Sequence, residues 1–102
     1  MIRHIVMWTL TEKNDVAAFE DNKLALREML LQLKQAIPGV LALDVKFNIN
    51  PDAINNYDIC LICDFATYSD LNKYQEHTEH QKVIKFLKSI RLNRACIDIE
   101  FK

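Results

Sequence analysis

A tyrosine and two histidines, Tyr74, His77 and His80, recur at three-residue intervals in a stretch with helical character. Imidazole titrates near neutral pH, so a histidine in a pocket can take up or release a proton. In an unbroken helix, Tyr74 and His80 would lie about 120° apart around the axis and roughly 9 Å apart along it. The two can therefore act together only if the helix breaks near Thr78. The alternative interpretation is a polar cluster at a helix cap.

The third histidine, His4, lies in an N-terminal stretch whose apolar residues alternate as in a β-strand. It shares one strand face with Val6, Trp8 and Leu10. Because this face carries large apolar side chains, we assign it to the interior between a sheet and its helices. His4 is then either a hydrogen-bonded core residue or the wall of a pocket, and we predict ligand contacts for His4, Val6, Trp8 and His77.

Other site chemistries find little support in the sequence. His77 and His80 could share a zinc ion with His4 or Glu76, but the HExxH order is absent, and a haem held by one histidine has no supporting feature. A single glycine excludes a glycine-rich phosphate loop. Cys63 shares a face with the pocket candidates, but nothing marks its thiol as activated. We therefore predict no metal and no cofactor.

Three cysteines cannot all pair within one chain. The N-terminus lacks the order of a signal peptide, so reduced thiols and a cytoplasmic location are expected. Cys60 and Cys63 have C-x-x-C spacing, but positions i and i+3 of a strand point to opposite faces. We therefore predict that these two cysteines are structural and bind no common metal.

The composition is that of one globular domain, residues 1–102, with half of its residues apolar and a quarter charged. The net charge of −1 and the scattered basic residues give no electrostatic footprint for nucleic acid or an anionic membrane. No apolar run approaches the ~20 residues that span a bilayer. The expected partners are therefore a small molecule and a second copy of the chain.

The elements that must position these residues follow from periodicity. Alternation predicts strands over 2–10, 41–49, 57–65 and 95–101, with a turn at 91–94. A 3.6-residue period predicts a helix capped near Asp15, with Val16, Phe19, Leu26, Leu30, Leu33 and Ile37 on its buried face. Pro38 and Gly39 end that helix. A second helical region, capped by Thr67 or Ser69, extends to about Ile90.

This order is β-α-β-β-α-β, an α+β ferredoxin-like protomer with a four-stranded antiparallel sheet. We place its first and third strands at the centre and parallel to each other, joined through a right-handed crossover. Both helical regions would cover one face of the sheet and leave the other bare. Face-to-face packing of two sheets in a twofold dimer would cover that face, through Ile5, Met7, Cys60 and Ile62.

Three segments together resemble the stress-responsive dimeric α/β-barrel (Dabb) family: residues 2–8 (IRHIVMW), 57–65 (YDICLICDF) and 70–80 (DLNKYQEHTEH). The resemblance covers nearly the whole chain. It implies a ferredoxin-like protomer and a homodimer whose two sheets close into a dimeric α/β-barrel. It also implies a pocket between sheet and helices that binds a small apolar or carbonyl-containing molecule, without an established activity.

One branch of this family, the plant olivetolic acid cyclase, implies a second function. By position, His80 would be the general base of a polyketide cyclase-like lyase and Tyr74 its partner, with His4 at the pocket wall. Two positions depart from what the resemblance implies: Thr78 stands where the family usually has a proline after the first helical histidine, and Ile59 stands where the cyclase has a histidine in its third strand. A monooxygenase, as in other dimeric α/β-barrel proteins, has no positive feature in this sequence.

Overall fold

A computed structural model describes residues 1–102, which form four strands and three helices. In chain order, these elements are β1 (Ile2–Leu10), α1 (Val16–Ala36), β2 (Ala42–Phe47), β3 (Ile59–Phe65), α2 (Tyr68–Glu76), α3 (Thr78–Ile90) and β4 (Arg91–Glu100). The predicted ferredoxin-like order is confirmed, with the second helical region divided into two helices. None of the helices is both long and apolar enough to cross a membrane.

The four strands form one antiparallel sheet in the order β2-β3-β1-β4. The prediction that β1 and β3 are parallel is wrong, although both are central as expected. The reason lies in the crossover: α1 carries the chain from β1 to the edge strand β2, and β3 then inserts between them as the return strand of a hairpin. The strand parallel to β1 is therefore β2, which lies two positions away on the far side of β3.

Several predicted element boundaries shift by a few residues. Strand β2 is shorter than expected, and Ile49 is 96% exposed beyond its end. The predicted turn at residues 91–94 belongs to β4, because the chain passes from α3 directly into the strand, where Leu10 pairs with Arg91. Val16 was placed on the buried face of α1 but is 69% exposed, since it is the first helical residue after the Asp15 cap.

The core lies between one face of the sheet and the helices. Alternate residues of β1, namely His4, Val6, Trp8 and Leu10, are buried there. They pack with Leu26, Leu30 and Leu33 of α1, with Leu71 and Tyr74 of α2, and with Val83, Leu87 and Ile90 of α3. The sheet–helix interior predicted for His4, Val6 and Trp8 is therefore correct.

The opposite face of the sheet carries no helix. Ile5 pairs with Ile62 and Met7 pairs with Cys60 on this face, and all four side chains are only half-buried. Strand β4 adds Ile97 and Ile99, which are 57% and 38% exposed. We call these six residues the open face. Cys63 is buried beneath the helices whereas Cys60 lies on the open face, so the two cysteines point to opposite sides as predicted.

Candidate functional site

The helical region that carries Tyr74 and His80 is interrupted between them. Helix α2 ends at Glu76, His77 is extended at φ −65° and ψ 141°, and α3 begins at Thr78. The ring centroids of Tyr74 and His80 lie 4.6 Å apart, at an interplanar angle of 55°. The break therefore produces the contact that an unbroken helix would forbid.

Side chains stabilise this break in the absence of a proline at position 78. The His77 ring accepts a hydrogen bond at Nδ1 from the Glu79 backbone N–H, 3.1 Å away, and so caps α3. The Gln81 side-chain amide donates to the Gln75 carbonyl at the end of α2, at 2.8 Å. These two contacts satisfy one unpaired backbone N–H at the start of α3 and one unpaired backbone C=O at the end of α2.

His4 is fixed from the edge strand β4. Its side chain is buried, and its Nδ1–H donates to Asp98 Oδ1 at 2.5 Å. The strand register places His4 directly opposite Asp98, and the His4 ring lies edge-on to Tyr74 with centroids 6.2 Å apart. Sequence reasoning missed Asp98. The available signal was the polar set of alternate residues in β4, Arg94, Cys96 and Asp98, which lies on the helix side of the sheet.

A small cavity of about 30 Å³ lies between the sheet and the helices. Of the predicted site residues, His4, Val6, Trp8 and His80 line it, whereas His77 and Tyr74 do not. His77 caps α3 instead, and Tyr74 is buried behind the His80 ring. The remaining walls were not identified from the sequence: Leu30, Leu61, Gln75, Val83, Ile84, Leu87 and Arg94. A volume of this size holds one water-sized group.

Two polar atoms of residues lining this cavity lack a hydrogen-bond partner in the protein. They are Nδ1 of His80 and Nε1 of Trp8, both buried. Burial lowers the pKa of His80, and the nearby charges of His4 and Arg94 act in the same direction, while the Gln75 carbonyl opposes them. His80 is therefore a neutral imidazole near pH 7. Buried polar groups are nearly always paired, so a polar group inside the cavity, from water or from a ligand, would satisfy these two atoms.

Tyr74 is a neutral residue in this site. Its phenol is fully buried, and the Cys63 thiol donates to its oxygen at 3.9 Å. Burial, followed by the adjacent Cys63, raises the pKa of Tyr74. Burial also raises the pKa of Cys63, to about 12. Neither group ionises near neutral pH, so Tyr74 can supply a hydrogen-bonding O–H or packing against His80, but no charge.

A larger depression of about 400 Å³ lies beside the loop between β2 and β3. Its charged side chains are already paired, Lys13 with Asp58 at 3.1 Å and Lys23 with Glu20 at 3.0 Å. Asp58 also accepts the Leu10 backbone N–H. These contacts hold the loop to β1 and leave little unpaired charge for a ligand, so the cavity beside His80 is the better candidate site.

The model of the Stress responsive A/B Barrel Domain family matches residues 2–101, almost the entire chain. The chain belongs to this family. The Dabb resemblance of the strand and helix motifs is thereby confirmed. No curated protein matches the Dabb chain.

Solved structures share the Dabb fold described above. A dimeric ferredoxin-like protein of unknown function from Bacteroides fragilis is similar at a TM-score of 0.88 and 28% identity, covering 98% of this chain and 95% of that one. A Dabb family protein from Mesorhizobium loti is similar at a TM-score of 0.70 and 21% identity, covering 99% of this chain and 96% of that one. The hydroxynitrile lyase from Passiflora edulis reaches 0.82 at 10% identity, with coverages of 99% and 93%, and shows the fold alone.

Proposed function

We propose that this Dabb domain is a homodimer that binds a small carbonyl-containing molecule in the cavity between sheet and helices. The observation that carries the proposal is the pair of unpartnered buried atoms, His80 Nδ1 and Trp8 Nε1, at a cavity with mostly apolar walls. Small-molecule sites combine apolar walls with a few polar groups that fix orientation. We also propose a cytoplasmic location, where reducing conditions would keep the three free thiols reduced.

The chemistry of the two atoms defines the ligand group. The Trp8 indole N–H is a donor only, so it needs an acceptor such as a carbonyl oxygen. The neutral His80 ring can accept from an enol or hydroxyl group, or donate from the same atom in its other tautomer. The cavity holds only the polar head of such a ligand. An apolar remainder would extend towards solvent past Arg94, the exposed lining residue on the edge strand.

The homodimer is supported by the open face. Six apolar or thiol side chains lie there without a helix, and contiguous apolar patches in water mark interaction surfaces. The Bacteroides fragilis protein and a ferredoxin-like protein from Thermobifida fusca are described as dimeric. Packing two such sheets face to face would bury both open faces at once.

A second candidate is a lyase of the polyketide cyclase type. Its support is the Tyr74–His80 contact and the lowered pKa of His80, which keeps the imidazole unprotonated and able to act as a base near pH 7. His80 would remove the acidic proton between two carbonyls, and Tyr74 would orient the ring. The fold shared with a hydroxynitrile lyase shows that this architecture can host lyase chemistry, not that this chain does so.

The binding proposal can be tested through Trp8, the single tryptophan of the chain. We expect β-diketones with alkyl tails of increasing length to cause a saturable change in its fluorescence, in the presence of EDTA. His80→Gln should weaken binding about tenfold, the cost of roughly one hydrogen bond. His77→Asn is the matched control, because His77 lies outside the cavity and asparagine can still cap α3, and it should leave the affinity unchanged.

Two results would contradict the binding proposal: no saturable change across the series, or equal losses in His80→Gln and His77→Asn. The lyase candidate requires more than binding. It predicts turnover of a linear β-keto substrate that falls with acid through a group below pH 6.5 and is lost in His80→Gln. Turnover unchanged in that variant would eliminate His80 as the base.

A further inference from the structure

Three side chains with different donor atoms meet at the edge of the sheet. His4 comes from β1, and Cys96 and Asp98 come from alternate positions of β4 on the same face. The Cys96 sulfur lies 3.6 Å from His4 Nδ1 and 3.9 Å from Asp98 Oδ1. This is the one group of three or more histidine, cysteine or acidic donors that comes together within 4.8 Å. It does not include His77 or His80, the pair considered for zinc from the sequence.

We propose that His4 Nδ1, Cys96 Sγ and Asp98 Oδ1 form a binding site for a divalent transition-metal ion of the Zn²⁺ type. Imidazole nitrogen, thiolate and carboxylate are the three side-chain ligands that zinc uses. A mixed set that includes thiolate disfavours Mg²⁺ and Ca²⁺, which bind oxygen. Cys96 and Asp98 are exposed, so a solvent molecule can complete a four-coordinate site.

The geometry requires one small change. With metal bonds of about 2.0 to 2.3 Å, tetrahedral ligands lie roughly 3.3 to 3.7 Å apart. The sulfur–nitrogen and sulfur–oxygen distances already approach this spacing, whereas the His4–Asp98 distance of 2.5 Å is that of a hydrogen bond. The Asp98 carboxylate must therefore retreat by about 1 Å. Its side chain is 34% exposed on an edge strand, so this movement disturbs no core packing.

The protons of the site also have a defined fate. Burial, followed by the charge of Asp98, raises the pKa of Cys96, so the free thiol keeps its proton near pH 7. Metal binding would release the Cys96 proton to solvent, and the Nδ1 proton of His4 would move to Nε2 of the same ring. The Cys96 thiolate and the Asp98 carboxylate would then balance the two positive charges of the metal. Arg94 lies on the same strand face. Its positive charge repels the metal ion but favours the Cys96 thiolate. Metal affinity should therefore rise with pH.

Co²⁺ is the probe that identifies the sulfur ligand. We expect titration of the reduced full-length chain with Co²⁺ to produce a thiolate-to-cobalt charge-transfer band that saturates at one equivalent per chain. Added Zn²⁺ should then bleach this band by displacing the cobalt. Cys96→Ser should abolish the band, and Asp98→Asn should weaken Co²⁺ binding by at least about tenfold.

Cys60→Ser is the matched control, since Cys60 lies on the open face away from the cluster, and it should bind Co²⁺ like the unmodified chain. The absence of a charge-transfer band would overturn the proposal. So would a band that survives in Cys96→Ser or disappears in Cys60→Ser. Because the β-diketone titration contains EDTA, the metal site and the proposed ligand site can fail independently.

Discussion

His80 combines a lowered pKa with a buried ring nitrogen that has no hydrogen-bond partner in the protein. Both follow from its position behind the helix break, where apolar walls and the Tyr74 ring remove water from the imidazole. His4 has a different environment, because Asp98 occupies its Nδ1. The two histidines of the cavity therefore differ: a hydrogen bond holds the His4 ring in place, whereas His80 keeps one ring nitrogen without a partner.

At this scale, His80 should make the fold sensitive to acid. Its folded pKa lies below the unfolded value near 6.5, so the unfolded state binds its proton first as the pH falls. The free energy of unfolding should thus be unaffected by His80 above about pH 6.5 and decrease below it. His80→Gln should flatten this decrease in urea unfolding measured from pH 7.5 to 5. An equal slope in both proteins would contradict the lowered pKa.

The three thiols should differ in reactivity. Cys96 is exposed, Cys60 is half-buried, and Cys63 is buried with its pKa raised to about 12. Because the thiolate is the reactive form, an aromatic disulfide reagent at pH 8 should modify Cys96 first and leave Cys63 intact until the chain unfolds. Cys96→Ser should remove the fastest phase. Fast modification of Cys63 in the folded protein would contradict its position in the core.

At the scale of the elements, the decisive feature is the interruption between α2 and α3. Its immediate causes are local, namely the His77 cap and the bond from Gln81 to Gln75. The Thr78 side chain takes part in neither contact. The break has a consequence for tertiary structure: it orients the first turn of α3 so that the His80 ring contacts Tyr74.

His77 should therefore contribute to stability through its cap. His77→Ala should reduce the free energy of unfolding by about 0.5 to 2 kcal/mol, the usual effect of losing an N-cap side chain. His77→Asn should recover most of this loss, because its amide oxygen can accept the same N–H. Urea denaturation of the three proteins at pH 7.5 tests this. An alanine variant with an unchanged free energy of unfolding would show that the hydrogen bond from the Glu79 N–H contributes nothing to stability.

Proline at position 78 should be accepted without loss. Thr78 is the first residue of α3, and His77 before it already has the extended conformation that a following proline requires. Thr78→Pro should stabilise the fold by about 0.4 to 1 kcal/mol through a less flexible unfolded chain. Thr78→Ala is the control for loss of the side chain. A large loss of stability with proline alone would contradict the break described above.

For the whole molecule, the open face is the side of the sheet that no helix covers. A single protomer leaves Ile97 and Ile99 of β4 in water together with the apolar residues of the central strands. The other side of the sheet has its own core and its own cavity. The proposed dimer would therefore cover the open face without occupying the ligand site or the cluster of His4, Cys96 and Asp98.

A charge on the open face should separate the proposed dimer. Ile62→Lys would place an ammonium group in the centre of the interface, where an unpaired buried charge is costly. Sedimentation velocity at micromolar concentration should show a dimer for the unmodified chain and a monomer for this variant. Leu31→Lys, on the outer side of α1 where Leu31 is 41% exposed, should remain dimeric. A monomeric unmodified chain would contradict the proposal.

The sequence by itself determined the element types, the faces of β1 and β3, the Asp15 cap and the family, because each depends on residues close together in the chain. It identified Tyr74, His80 and His4 as one neighbourhood but could not decide whether the first two touch. Their contact depends on the break between α2 and α3. The His77 cap competes there with continuation of the helix, and packing against the sheet determines which of the two forms. Tertiary structure alone brought Asp98 to His4, since the two are 94 residues apart and meet only through strand register.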